Sequence, residues 1–258
     1  MRWILISIVL LTQWAFGISG EQIFKKKCQS CHTYYIPQNT LLQNFLEHNN
    51  TELNLKAPTL NQLSFTLKHK IGDRKNDAES QQFEIENYLS EYLENPEKKK
   101  SLLPHEINRF FKEMPKIKLD EDEIEAVTIY IYEYAKNIIK EHSTKRYSYK
   151  EALKIAKAEN KIILIYGYLP YCGYCIKMER RVMVEPKVKE ALDKDFVLVK
   201  LNVAMEKLPL GLKRLMTPSF YFIDSDGKTI LDKVEGYGDA KEFLEILEFI
   251  KGMKKSGS

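Results

Sequence analysis

Cysteine is scarce in this chain. Its 258 residues hold four, in two pairs: Cys28 with Cys31 and Cys172 with Cys175. The pairs lie about 140 residues apart, far beyond the ligand spacing of a zinc ribbon, so a four-thiolate zinc site is excluded. A strong charge of either sign is also missing. Forty Lys and Arg stand against 36 Asp and Glu, a formal net charge of +4. Such an excess does not argue for a nucleic-acid partner, and the short runs Lys25–Lys27 and Lys98–Lys100 read as solvated faces. The first run flanks a candidate redox edge, where it could also attract an acidic partner. No internal repeat of short period is present, and the first half shows no strand pattern.

A long apolar run is missing too. The N-terminal stretch begins with Arg2, is apolar from Trp3 to Leu11, breaks at Thr12 and Gln13, and reaches only Phe16. That is short for a membrane span. Ala15, Gly17, Ser19 and Gly20 follow, which makes residues 1–20 a secretory signal pattern, with cleavage after Gly17 or Gly20. Retention as a membrane anchor stays open. Either way the remainder is expected in the periplasm or another extracytoplasmic space, where dithiol chemistry and covalent haem attachment both fit.

What is present is chemically specific. Cys28-Gln29-Ser30-Cys31-His32 reads as a c-type haem attachment site. Each thiol would add to one vinyl group, and the adjacent imidazole of His32 would bind the iron. One covalent haem c is therefore the expected cofactor, and its surroundings are expected to be all helical. Gln22 to Gln29 reads as a helix anchored by Ile23 and Phe24. Asp120 with Glu123 makes a capping box ahead of a long helix carrying Ile124, Val127, Ile131, Tyr134, Ala135 and Ile138. Pro37, Pro58, Gly72-Asp73, Pro96 and Pro104 mark loops. His48, His69, His105 and His142 are expected at the surface or in hydrogen bonds, with His69 and His105 kept as rival iron ligands.

The second half changes pattern. Residues 141–147 hold neither proline nor glycine and read as a stiff helical connector. Ser148 with Glu151 caps a helix to about Glu159. Ile162–Ile165 and Phe196–Leu201 are continuous runs typical of buried strands. Ser219 to Ile223 reads as a third strand, and Asp226-Gly227 turns into a fourth. Asp239 to Lys251 closes the chain as a helix. Alternating strands and helices predict an α/β domain. Cys172 and Cys175 sit where a buried strand ends and a helix begins. Amide donors there favour a thiolate, so Cys172 is the expected attacking sulfur and Cys175 the resolving one. A structural disulfide closing so short a loop would contribute little.

Two resemblances follow from these motifs. Residues 21–140 resemble a class I cytochrome c through Cys28, Cys31 and His32, Ala57-Pro58-Thr59-Leu60, and Met114-Pro115. That resemblance implies His32 and Met114 as axial ligands and the Pro58 carbonyl as the hydrogen-bond partner of the His32 ring. The stretch between His32 and Pro58 is longer than usual in that family. Residues 148–254 resemble the thioredoxin superfamily through Ile162–Ile165, Cys172–Cys175, Thr217-Pro218 and Asp226-Gly227. That resemblance implies a cis-proline at Pro218 facing the cysteines. It departs from the pattern at Tyr166, six positions ahead of Cys172, where such domains often keep a buried acid. Glu179 is a candidate substitute, although a solvated face is the simpler expectation for it, as for Lys177 and Arg180.

The combined expectation is an exported thiol–disulfide oxidoreductase with attached haem c. Its partners would be other redox proteins and thiol or disulfide proteins, with a membrane only if the N-terminal segment is retained. The alternative is an electron-transfer cytochrome whose second domain only docks or senses partners.

Overall fold

The computed structural model describes residues 19–72 and 77–256. Most of the expected signal segment, residues 1–18, and Asp73 lie outside the described residues. The N-terminal part is helical. α1 (Gly20–Lys27) opens on a capping box between Ser19 and Gln22 and buries Ile23 and Phe24. α2 (Gln38–Leu42) runs into a π-helical turn, Gln43–Glu47. α3 (Leu60–Lys70) is capped by Thr59 with Gln62, and α4 (Ala78–Glu94) by Asp77. α5 (His105–Asn108) is a single turn. α6 (Glu121–His142) carries the expected Asp120–Glu123 box, and its buried stripe includes Ile124, Val127, Ile131, Ala135 and Ile138.

α1, α3 and α4 pack on α6, and Ile23, Phe24, Leu60, Leu67, Ile85, Val127 and Ile131 form their common core. α1 crosses α6 closely. A Cβ on Gly20 would lie 2.0 Å from the Ala126 carbonyl oxygen, so only glycine fits there. The long stretch between His32 and Pro58 builds a small core of its own, in which Leu41 and Phe45 pack on Phe111.

The C-terminal part is α/β. β1 (Arg146–Tyr147) leads to α7 (Tyr149–Glu159), β2 (Ile162–Tyr168), α8 (Gly173–Lys177) with a π-helical turn Met178–Val182, and α9 (Pro186–Asp195). β3 (Phe196–Asn202), β4 (Ser219–Ile223), β5 (Ile230–Glu235) and α10 (Ala240–Ser256) follow. Sheet order is β1-β3-β2-β4-β5, with β1, β3 and β2 parallel and β4 and β5 antiparallel.

Both sheet faces are covered, which is why β2 and β3 read as unbroken apolar runs. Ile162, Leu164, Tyr166, Phe220 and Phe222 point to one face and meet Leu192 of α9 and Phe243 and Leu247 of α10. Ile163, Ile165, Val197, Val199 and Tyr221 point to the other and meet Ala152 and Ala156 of α7. This alternation is the period of two that a strand imposes. Gly227 makes the Asp226-Gly227 turn at φ 71°, a left-handed backbone suited to glycine.

The connector corrects its expectation. Helix ends at His142, Ser143 is extended, and Arg146 and Tyr147 pair in parallel with Leu198 and Val199. The edge of β3 offers unpaired amides and carbonyls, and satisfying them outweighs the helical tendency of a segment free of proline and glycine.

Candidate redox sites

β2 delivers the chain to Leu169-Pro170-Tyr171, and Cys172 caps α8 with its own side chain. The Cys175 amide donates to the Cys172 Sγ at 3.1 Å, and the Cys172 thiol donates to the Thr217 carbonyl at 3.4 Å. The Thr217–Pro218 peptide bond is cis. Cys172 is partly exposed, Cys175 is 2% exposed, and both are free thiols. Burial pushes the Cys172 thiol up. Hydrogen bonds with Cys175 and Thr217, and from the Cys175 and Tyr174 amides, outweigh it, so the net shift is downward. Cys175 goes the other way: burial, then its hydrogen bond with Cys172, raises it to about 11. One sulfur is prepared to be a thiolate at the surface, while its partner is kept protonated beneath it.

The floor of this site departs from simple expectation. Tyr166 is fully buried, stacks on Phe220 at 5.2 Å, and donates its hydroxyl to the Cys175 carbonyl at 3.2 Å. Burial, with Glu179 nearby, raises its phenol far above the ordinary value, so it stays neutral. Glu179 is not on a solvated face. Its side chain is 16% exposed, ion-paired with Lys200 and 3.7 Å from the Arg146 guanidinium. It lies four residues beyond buried Cys175, so helical geometry turns both to the same side. Lys200 stands next to Tyr166 in the β2/β3 register and covers the Tyr168 ring at 3.9 Å. Lys200 escaped the sequence reading. Its signal was a lone cation inside the apolar run Phe196–Leu201, a residue that needs a buried partner. Lys177 covers the Tyr174 ring, and Arg180 lies against Phe65 of α3 rather than in open solvent.

In the helical part, α1 ends at Lys27 and the chain turns through Cys28 to His32, whose amide donates to the Cys28 carbonyl at 3.0 Å. Cys28 packs partly against the core and Cys31 is exposed. Burial raises the Cys28 thiol to about 11. His32 is 9% exposed, and burial lowers its pKa despite the opposing Pro58 hydrogen bond. Its Nδ1 lies 2.8 Å from the Pro58 carbonyl oxygen. A donor at Nδ1 leaves Nε2 as the free lone pair. Pro58 stays close because the Leu60 and Asn61 amides donate to the Thr33 and Tyr34 carbonyls, which ties the two segments together.

Met114 lies half-buried in the extended segment ahead of α6 and is not among the residues of either apolar core in this half. His48 pairs with Glu52, His142 stacks on Tyr35 at 4.2 Å, and His105 opens α5. Among the described residues, no group of three or more His, Cys, Asp or Glu side chains could hold a metal ion.

Residues 149–251 match the thioredoxin-like domain family. Residues 149–251 form a thioredoxin-like domain. The chain is 29% identical over 100 residues to protein disulfide-isomerase A3 of Gallus gallus, covering 37% of this chain and 19% of that protein. It is 29% identical over 104 residues to the thiol:disulfide interchange protein DsbD of Tatumella citrea, covering 38% and 18%. The chain thus spans about a fifth of the length of the curated relatives it matches. A thioredoxin from Thermus thermophilus aligns at 26% identity with a TM-score of 0.36, over 42% of this chain and 87% of that one.

Proposed function

We propose that the chain is an exported thiol–disulfide oxidoreductase whose helical part carries one covalent haem c for electron transfer. The observation that carries the dithiol half is the Cys175 amide on the Cys172 sulfur, with the cis peptide Thr217–Pro218 beside it. The Cys172 thiolate attacks one sulfur of a partner disulfide and releases the other as a thiolate. Cys175 then loses its proton and attacks the Cys172 sulfur, which frees the second partner thiol. Two electrons and two protons pass from the dithiol to the partner, and the reverse sequence oxidises a partner dithiol. Glu179, ion-paired with Lys200 and four residues beyond Cys175, is the acid-base group proposed to receive the Cys175 proton. The partners are thiol or disulfide proteins of the same compartment.

The residues of the helical part fit a haem c. Two thiols stand three residues apart at the end of a helix, and the His32 ring is oriented through Nδ1 by Pro58. When bound, the group supplies a one-electron iron couple. Cys28 and Cys31 would hold it through thioethers, His32 Nε2 would ligate its iron, and Met114 would be a further ligand on resemblance alone. Export through residues 1–20 belongs to the same reading. The Ser19 cap and the tight seat of Gly20 on α6 favour cleavage after Gly17, which keeps both.

Iodoacetamide at pH 7 is expected to label Cys172 roughly tenfold faster than a model thiol, and Cys175 only as pH approaches 11. Labelling of Cys172 no faster than the model thiol overturns the dithiol half. Protein from a host competent in cytochrome maturation is expected to give a pyridine haemochrome spectrum that a Cys28→Ser/Cys31→Ser variant lacks. Colourless wild-type protein overturns the haem half and leaves the dithiol half standing.

A further inference from the structure

A cleft of about 1010 Å³ separates the C-terminal half of α6 from the first elements of the thioredoxin-like domain. Its apolar lining comes from Ala135 and Ile139 of α6, Ile155 of α7, and Phe196 and Val197 of β3. Around this lining stand eight Lys and Arg side chains against four carboxylates. Three of the four carboxylates are already engaged: Glu159 with Lys161, Asp193 with Lys189, and Glu179 with Lys200. Those pairs also occupy Lys161 and Lys189, and Lys136 pairs with Glu133 at 3.2 Å, whereas Lys140 and Lys145 have no carboxylate within 4 Å among the described residues.

Two of the lining residues also lack acceptors. Thr144 is 5% exposed, and its hydroxyl has no hydrogen-bond partner. Arg146 has Nε and Nη2 buried without one, and its carboxylate neighbour Glu179 is 3.7 Å away, too far for a hydrogen bond. Buried donors in folded proteins are nearly always satisfied. Across the cleft Lys68 has no carboxylate within 4 Å among the described residues. It donates to the Tyr132 carbonyl and covers the Tyr132 ring at 3.4 Å. Burial, then the neighbouring Arg180, holds its pKa down to about 8, although Glu133 pulls it up.

We propose that this cleft binds a small organic polyanion, with two or more carboxylate or phosphate groups on a carbon frame. The Arg146 fork suits a two-oxygen acceptor, which it can meet in bidentate fashion. The Thr144 hydroxyl takes a neighbouring oxygen, and Lys68 neutralises a second anionic group from the opposite wall. The volume matches ligand pockets rather than a single inorganic ion, and the apolar lining accommodates a carbon frame. The site joins residues of both parts of the chain and adjoins the floor of the dithiol through Glu179, which lines the cleft 3.7 Å from Arg146.

Calorimetric titration of the full chain at pH 7 and low salt with citrate, fructose 1,6-bisphosphate and, as a neutral control, glucose tests this. One polyanion is expected to bind 1:1 with Kd below about 100 µM, and glucose not at all. Arg146→Gln, Thr144→Val and Lys68→Gln are each expected to weaken binding at least tenfold, and Lys99→Gln, at an exposed site outside the cleft, to leave it unchanged. Which of the two probes binds separates carboxylate from phosphate recognition. Binding of both weaker than about 1 mM overturns the proposal. So does an equal loss in Lys99→Gln, which marks non-specific charge attraction. Thr144→Val changes only a hydroxyl, so it remains decisive if the Arg146 variant fails to fold.

Discussion

Glu179 and Lys200 bury opposite charges beside a neutral phenol, and two costs compete there. Taking each ion out of water costs several kcal/mol, and the pair offsets this only while both partners are present. Arg146 adds a second cation at 3.7 Å. Glu179→Gln leaves Lys200 buried without its counter-charge and is expected to lose about 3 kcal/mol in chemical denaturation. Glu179→Gln/Lys200→Met removes both charges and is expected to recover most of that loss, a coupling that a double-mutant cycle measures directly. A double variant that loses the sum of the two single losses would show that the charges act independently. At this scale the sequence was half legible. Cys172, Cys175 and His32 announce themselves by spacing, because their chemistry needs residues one helical turn apart. Glu179 and Lys200 come from different elements, and only the fold brings the π-helical turn after α8 to β3.

The helix α2 shows what an element can borrow from elsewhere. Pro37 at its start offers no side-chain cap. Glu185 supplies one from 146 residues away, accepting the Asn39 amide at 3.0 Å. Glu185 is 6% exposed, and burial raises its pKa although the Asn39 and Gln38 amides pull it down. A carboxyl raised on folding contributes stability that is full below the unfolded value of 4.5 and lost as pH rises through the folded value. Glu185→Gln keeps an acceptor oxygen and removes the charge. Its melting temperature is therefore expected to match wild type at pH 4 and to exceed it at pH 7, with the gap opening above pH 4.5. A gap that closes as pH rises would mean the ionised form is the stabilising one. No local pattern could reveal this cap. The strands, by contrast, were legible from their apolar runs, α6 and α7 from their capping boxes, and α1 from its apolar anchors Ile23 and Phe24, because those signals are local. β1 was hidden because two residues make a strand only when an edge is waiting for them.

Across the whole molecule, the loop after His32 ties the two parts together. Tyr35, three residues beyond that imidazole, donates to the Val184 carbonyl at 3.4 Å and stacks on His142. Burial, then Glu185, raises the Tyr35 phenol to about 12, so it remains a donor throughout the neutral range. Asn39 meets Glu185 beside it, and Arg180 covers Phe65 at 5.3 Å. Val184 and Glu185 follow the π-helical turn that continues from α8, so the segment bearing the dithiol leads directly into the joint. Two folding units that share such a joint melt together when its free energy is comparable with the difference in their own stabilities. Wild type is expected to give one calorimetric transition. Tyr35→Ala removes the hydrogen bond and the ring stack, a loss of about 2 kcal/mol for a half-buried aromatic, and is expected to split the trace in two. The lower transition should belong to the helical part, whose apolar residues are divided between a core on α6 and a small one around Phe45, and far-ultraviolet dichroism should fall mainly there. A single transition in Tyr35→Ala, merely shifted down, would place the coupling in the Arg180–Phe65 contact and the α6–β1 connection instead.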